Sequence, residues 1–99
     1  MSNAIKTIPD ITATTTPVSL LPQNNAGGKG STHKWASVAI QNNDTTNSVY
    51  VGDSLVSASR KSAVLTPGQT YSISGSAVDP SLIFVMSNTG TAIVSASGS

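Results

Sequence analysis

The chain contains no cysteine and no glutamate, and it carries little charge of either sign: five Lys and Arg and four Asp in 99 residues, for a formal net charge of +1. Without cysteine there are no disulfides, no thiol nucleophile and no Cys-ligated zinc site. The basic residues do not cluster, which argues against a nucleic-acid partner. There is no run of about 18 apolar residues to cross a membrane. A basic start followed by an apolar core is also missing from "MSNAIKTIPD", so no signal peptide is expected. Charged residues make up 9% of the chain, against roughly 25% in an ordinary soluble domain. Polar surface must therefore come from Ser, Thr, Asn and Gly. A chain of this length supports one domain with a thin core.

Val, Ile, Thr and Ser dominate, and good helix formers are scarce. No window places apolar residues at i, i+3, i+4 and i+7, whereas period-two alternation recurs. The expected fold is all-β: a small two-sheet β-sandwich or jelly-roll-like domain of about six to eight short strands. Strand candidates are Ile11–Leu20, broken or edged by Pro17, then Lys34–Gln41, Val49–Val51, Ala63–Leu65, Tyr71–Ile73, Leu82–Met86 and Thr91–Ala96. Pro67-Gly68 fits the centre of a type II turn, and "SNTG" before Thr91 reads as a hairpin turn. Ala36, Val38 and Ile40 share one face of their strand, with Trp35 on the other. The expected inner face comprises Val38, Ile40, Val49, Val51, Leu65, Ile73, Ile83, Val85, Ile93 and Val94. The last two are adjacent and cannot both point inward without a bulge.

The first third of the chain reads differently. It holds Pro9, Pro17 and Pro22 and a Gly-rich hinge at Gly27, Gly28 and Gly30. The expected division is an extended N-terminal arm over residues 1–32 and a β-sandwich domain over 33–99. Such an arm is disordered alone and is ordered by a neighbouring subunit.

Candidate chemistry is sparse. His33 is the only histidine; a Ser/His/Asp arrangement needs it beside a serine and an orienting carboxylate, and a solvated loop position explains it more simply. The carboxylates Asp10, Asp44, Asp53 and Asp79 each sit beside turn residues and read as Asx-turns and caps. "NNDTTN" offers oxygen ligands but lacks calcium-loop spacing, and "GGKGST" departs from the phosphate-loop pattern because Gly30 follows Lys29. Arg60-Lys61 reads as a solvated basic pair. No catalytic residue, metal or cofactor is expected. Trp35 and Tyr50 are the aromatics available to stack on a sugar, although packing is the simpler use of both.

Strands coated in Ser and Thr are adhesive at their edges unless capped, and this chain has few charges with which to blunt them. Pairing of edges and arm with neighbours in an oligomer or lattice removes the problem. Assembly contacts are accordingly expected at Ile5, Ile8, Pro9, Ile11, Val18, Leu20, Leu21 and Trp35.

The segments "VAIQNN", "SVYVGD", "SAVLTPGQTYSI" and "LIFVMSNTGTAIVS", preceded by "TTTPVSLLP", resemble a small β-module of tailed-bacteriophage virion proteins. The resemblance implies capsid decoration or cement proteins, head fibres or tail-associated proteins. It therefore implies a non-enzymatic protein on the capsid surface, made in the host cytoplasm, whose partners are the major capsid protein and copies of itself, as a homo-oligomer such as a trimer. Having no repetitive shaft, the chain fits decoration or cement best, with residues 1–32 as a clamp across the shell. The alternative is a head-fibre or tail-associated adhesion module binding host carbohydrate through Trp35 or Tyr50.

Overall fold

The computed structural model describes residues 6–20 and 35–98. Among the described residues, alternating β-branched residues form eight strands: β1 (Lys6–Ala13), β2 (Val18–Ser19), β3 (Trp35–Asn42), β4 (Val49–Gly52), β5 (Ala63–Leu65), β6 (Thr70–Val78), β7 (Phe84–Ser87) and β8 (Ala92–Gly98), with a 3-10 turn at Pro80–Leu82. They make two four-stranded sheets, ordered β1-β8-β3-β6 and β2-β7-β4-β5. Every pairing is antiparallel. The pairs are nested: first with last, second with seventh, third with sixth, fourth with fifth. That nesting is the strand order of the eight-stranded jelly roll.

Alternation sends every second side chain inward. Val38, Ile40, Val49, Val51, Val85 and Val94 are essentially inaccessible, Leu65 is buried, and Ile73 and Ile83 pack partly buried against them. Val94 takes the inward position and Ile93 is exposed, which settles the choice between these neighbours.

Two irregularities alter the expected faces. In β1, Ile8 opposes Ala96 while Ile11 opposes Val94, so Pro9 and Asp10 together stand opposite one residue. This bulge lets Ile8 and Ile11, three residues apart, both reach the core. Between β3 and β6, Trp35 opposes Val78 whereas Ser37 opposes Ser74. At this irregular stretch β3 departs from alternation: Trp35 is buried and Ala36 is exposed, the reverse of the expected phase.

The N-terminal division also differs from expectation. Within the described residues, 6–20 are part of the sandwich and not a separate arm. β1 pairs with β8, β2 pairs with β7, and Ile8, Ile11, Ala13 and Leu20 belong to the core. The expected strand Ile11–Leu20 is interrupted before Pro17: β1 ends at Ala13, a turn over residues 14–16 follows, with the Thr16 amide donating to Thr14 Oγ1 at 3.2 Å, and β2 begins at Val18. "SNTG" is not a hairpin turn, because β7 and β8 lie in different sheets. It is a crossover, with Gly90 at φ +61°. Among the sequence-adjacent strands, only β4 and β5 pair directly.

Candidate functional site

Four connections meet at one end of the sandwich, and Asn42 organises them. Its buried amide donates to Asn47 O at 2.9 Å and Leu65 O at 2.8 Å, while its Oδ1 accepts from the Asp44 amide at 2.9 Å. Its backbone bonds Gln69 O at 3.0 Å and the Gly68 amide at 2.8 Å. The turn from Thr66 to Gln69 is the expected type II turn: the Gln69 amide reaches Thr66 O at 3.0 Å, and Gly68 has φ +87°. Asn47 Nδ2 reaches Thr91 O at 2.7 Å, and the Ser87 amide reaches Thr14 O at 2.7 Å.

The oxygens of "NNDTTN" face this network. Asp44 Oδ2 accepts from the Asn47 amide at 2.7 Å and the Thr46 amide at 3.1 Å. The Asn47 and then the Thr46 backbone bond hold its carboxyl below the usual carboxylate range. This is an Asx-turn that closes a loop, and the oxygens that a cation would need are accepting the loop's own N–H groups.

Asp53 and Asp79 have similar duties at the other end. Asp53 accepts from the Leu55 amide at 3.0 Å and pairs with Arg60 at 2.7 Å on the surface. The Arg60 hydrogen bond is the main reason its carboxyl lies below its ordinary value. Arg60 is thus engaged and not free. Asp79 caps the 3-10 turn, accepting from the Ser81 amide at 3.0 Å and Ser81 Oγ at 2.6 Å. Buried Ser19 donates to Ser81 O at 2.7 Å, tying β2 to that turn. Asp10 departs from the expected role: it sits in the β1 bulge beside Pro9. Among the described residues no buried side-chain N or O lacks a partner. No group of three His, Cys, Asp or Glu comes together there either.

The nominated contact residues divide sharply. Ile8, Ile11, Leu20 and Trp35 are buried in the core, so they are not assembly contacts on the folded domain. Pro9 is exposed and Val18 half-buried. Ile5, Leu21 and His33, with the Gly-rich hinge and Lys29, lie outside the described residues. As a sugar platform Trp35 fails, because its ring is packed inside the sandwich. Tyr50 is half-buried and its ring has the Lys61 ammonium 5.5 Å from its centroid, a cation–π contact that covers one face.

Sequence reasoning missed the open flank of the sandwich. β5 has three residues and β6 has nine, so among the described residues part of the inner face of β6 has no strand opposite it. Tyr71 and Ile73 consequently line an open groove of about 330 Å³ with Val51, Leu82 and Ile83. Leu82 is 45% exposed. A local pattern could not show this, because the mismatch is between strands of different sheets.

Among the described residues no helix is long and apolar enough to cross a membrane. No protein-family model matches the chain, nor does any curated protein or solved structure match it significantly.

Proposed function

We propose that this chain is a structural virion protein, a decoration or cement protein that binds the outside of a phage head and links neighbouring capsid subunits. The observation that carries the reading is where the polar groups go. Asn42, Asp44, Asp53, Asp79 and Ser81 all serve the chain's own loops, so the polar side chains of the described residues support a weakly charged scaffold, which suits a structural role. The motifs behind the resemblance fall on successive elements: "VAIQNN" on β3, "SVYVGD" on β4, "SAVLTPGQTYSI" on β5, its turn and β6, and "LIFVMSNTGTAIVS" on β7 and β8. Jelly rolls recur in capsid and lectin domains; this is support by analogy, since a fold hosts many functions.

The partners in this reading are the major capsid protein and copies of the chain itself. Capsid contacts fall on the outer faces and edges of the sandwich, because residues 6–20 are committed to the fold and do not form a clamp. Quantitative mass spectrometry of gradient-purified virions tests the proposal through copy number relative to the major capsid protein. Near-stoichiometric abundance is expected. A few copies per particle would place the chain at a vertex, fibre or tail and overturn the lattice role. Absence from particles would overturn the virion reading altogether.

A further inference from the structure

The jelly roll has four sheet edges, and three of them are poor templates for a further strand. β1 is interrupted by the Pro9-Asp10 bulge, where proline offers no N–H. β2 has two residues and β5 three. β6 differs: it has nine residues, TYSISGSAV, with no charge and no proline; residues 70–74 run in unbroken register with β3, ahead of the slip before Val78, and they border the open groove lined by Tyr71 and Ile73. Long edges of this kind are normally blunted.

The backbone direction along β6 follows from its neighbour. Asn42 of β3 bonds toward Gln69 and Gly68, whereas Asn43 bonds toward Ile93 of β8. Even-numbered residues of β3 therefore face β6, so Ile40 bonds Tyr71 and Val38 bonds Ile73 across the ladder. By alternation, Thr70, Ser72 and Ser74 direct their N–H and C=O groups away from β3, along the free edge.

The segment Thr70-Tyr71-Ser72-Ile73-Ser74 is also chemically symmetric about Ser72: hydroxyl, large apolar, hydroxyl, large apolar, hydroxyl. A strand with that symmetry is complementary to itself when antiparallel. We propose that the free edge of β6 is a self-association surface on which a second copy pairs its own β6, centred on Ser72, to form a two-fold dimer with a continuous eight-stranded sheet. In that register Ser72 meets Ser72 of the partner and Thr70 meets the partner's Ser74, and the three outward residues of each copy supply about six backbone hydrogen bonds. Tyr71 meets the partner's Ile73 on the groove face, an aromatic–β-branched pair of the kind that stabilises sheets, and the open flank of each sandwich is closed by the other. No like charges oppose. The inference stands independently of the virion reading.

Sedimentation velocity of the full-length chain over micromolar to millimolar concentrations tests it. A dimer that dissociates on dilution is expected. Ser72→Pro removes an N–H that β3 does not use, and Ser72→Lys sets two ammonium groups opposite each other; each should weaken association at least tenfold while circular dichroism stays native. Thr12→Lys, on the β1 edge, should leave it unchanged. Should Ser72→Pro fail to fold, Ser72→Lys decides alone. The register has its own test, because the chain lacks cysteine. Paired Ser72 Cα atoms stand about 5.5 Å apart, within disulfide reach, so Ser72→Cys should cross-link under oxidation at least tenfold faster than Ser74→Cys. A wild-type monomer at every concentration, an oligomer that both Ser72 variants leave intact, or equal cross-linking at the two positions would each overturn the proposal.

Discussion

Trp35 lies directly over Gly98: a β-carbon at position 98 would stand 2.7 Å from Trp35 Cε3 and 3.0 Å from the backbone carbon of Ser37. The close approach occurs because β8 is the central strand between β1 and β3, pairing Gly98 with both Lys6 and Val38. The tightest obstacle is the backbone oxygen of Ser37, with the indole next, so position 98 accommodates glycine alone without a shift of β3.

Gly98→Ala should therefore cost about 1–3 kcal/mol, the usual range for overpacking, because backbone as well as side chain must shift. Denaturant unfolding measures the loss. Trp35 is the only tryptophan, so its emission reports locally, and a red shift in the folded variant is expected. A native Tm and an unshifted spectrum would show that the site is looser than described.

Deleting residues 1–25 should abolish folding, because it removes β1 and β2 with Ile8, Ile11, Ala13 and Leu20 from the core. Leu20→Ala is the milder form and should cost about 2–5 kcal/mol. A dispersed amide spectrum from the truncated chain would contradict the placement of β1.

Asn42→Ala should destabilise by about 1–3 kcal/mol by stranding the carbonyl of Leu65, which accepts from Asn42 in the interior. Asn42→Asp should be at least as harmful, since a carboxylate cannot donate to either carbonyl. Thermal unfolding of the two variants checks the order.

Asp44 and Asp53 both have folded-state pKa values below that of an ordinary carboxylate. A depressed folded pKa means the ionised form is favoured by folding. The associated stability is present above about pH 4 and is lost as pH falls through the lower folded value. With both groups on the surface the loss should be small, and Asp44→Asn should flatten the acid limb of a plot of Tm against pH. An unchanged acid limb would show that the Asx-turn contributes nothing to it.

The local readings that succeeded rest on local physics. Gly68 adopts the positive φ that a type II turn demands of its third residue, and Pro67 fixes the φ of the second. Asp44 and Asp53 close turns because a short carboxylate reaches amides two or three residues on. The readings that failed each depended on a partner far along the chain. Ile8 and Ile11 share the interior only because a bulge opposite Ser95 absorbs one residue, and Trp35 turns inward where the β3–β6 ladder is irregular, opposite Val78.

By itself the sequence determined an all-β domain, its turn chemistry, most of its inner face and the scarcity of reactive groups, because alternation and turn preference act within a few residues. The tertiary structure alone decided that residues 6–20 complete the sandwich, that β7 and β8 separate into different sheets, and that among the described strands β6 is the long edge. Sheet membership is set by pairing across the chain, as between Lys6 and Gly98, and no local pattern carries that information.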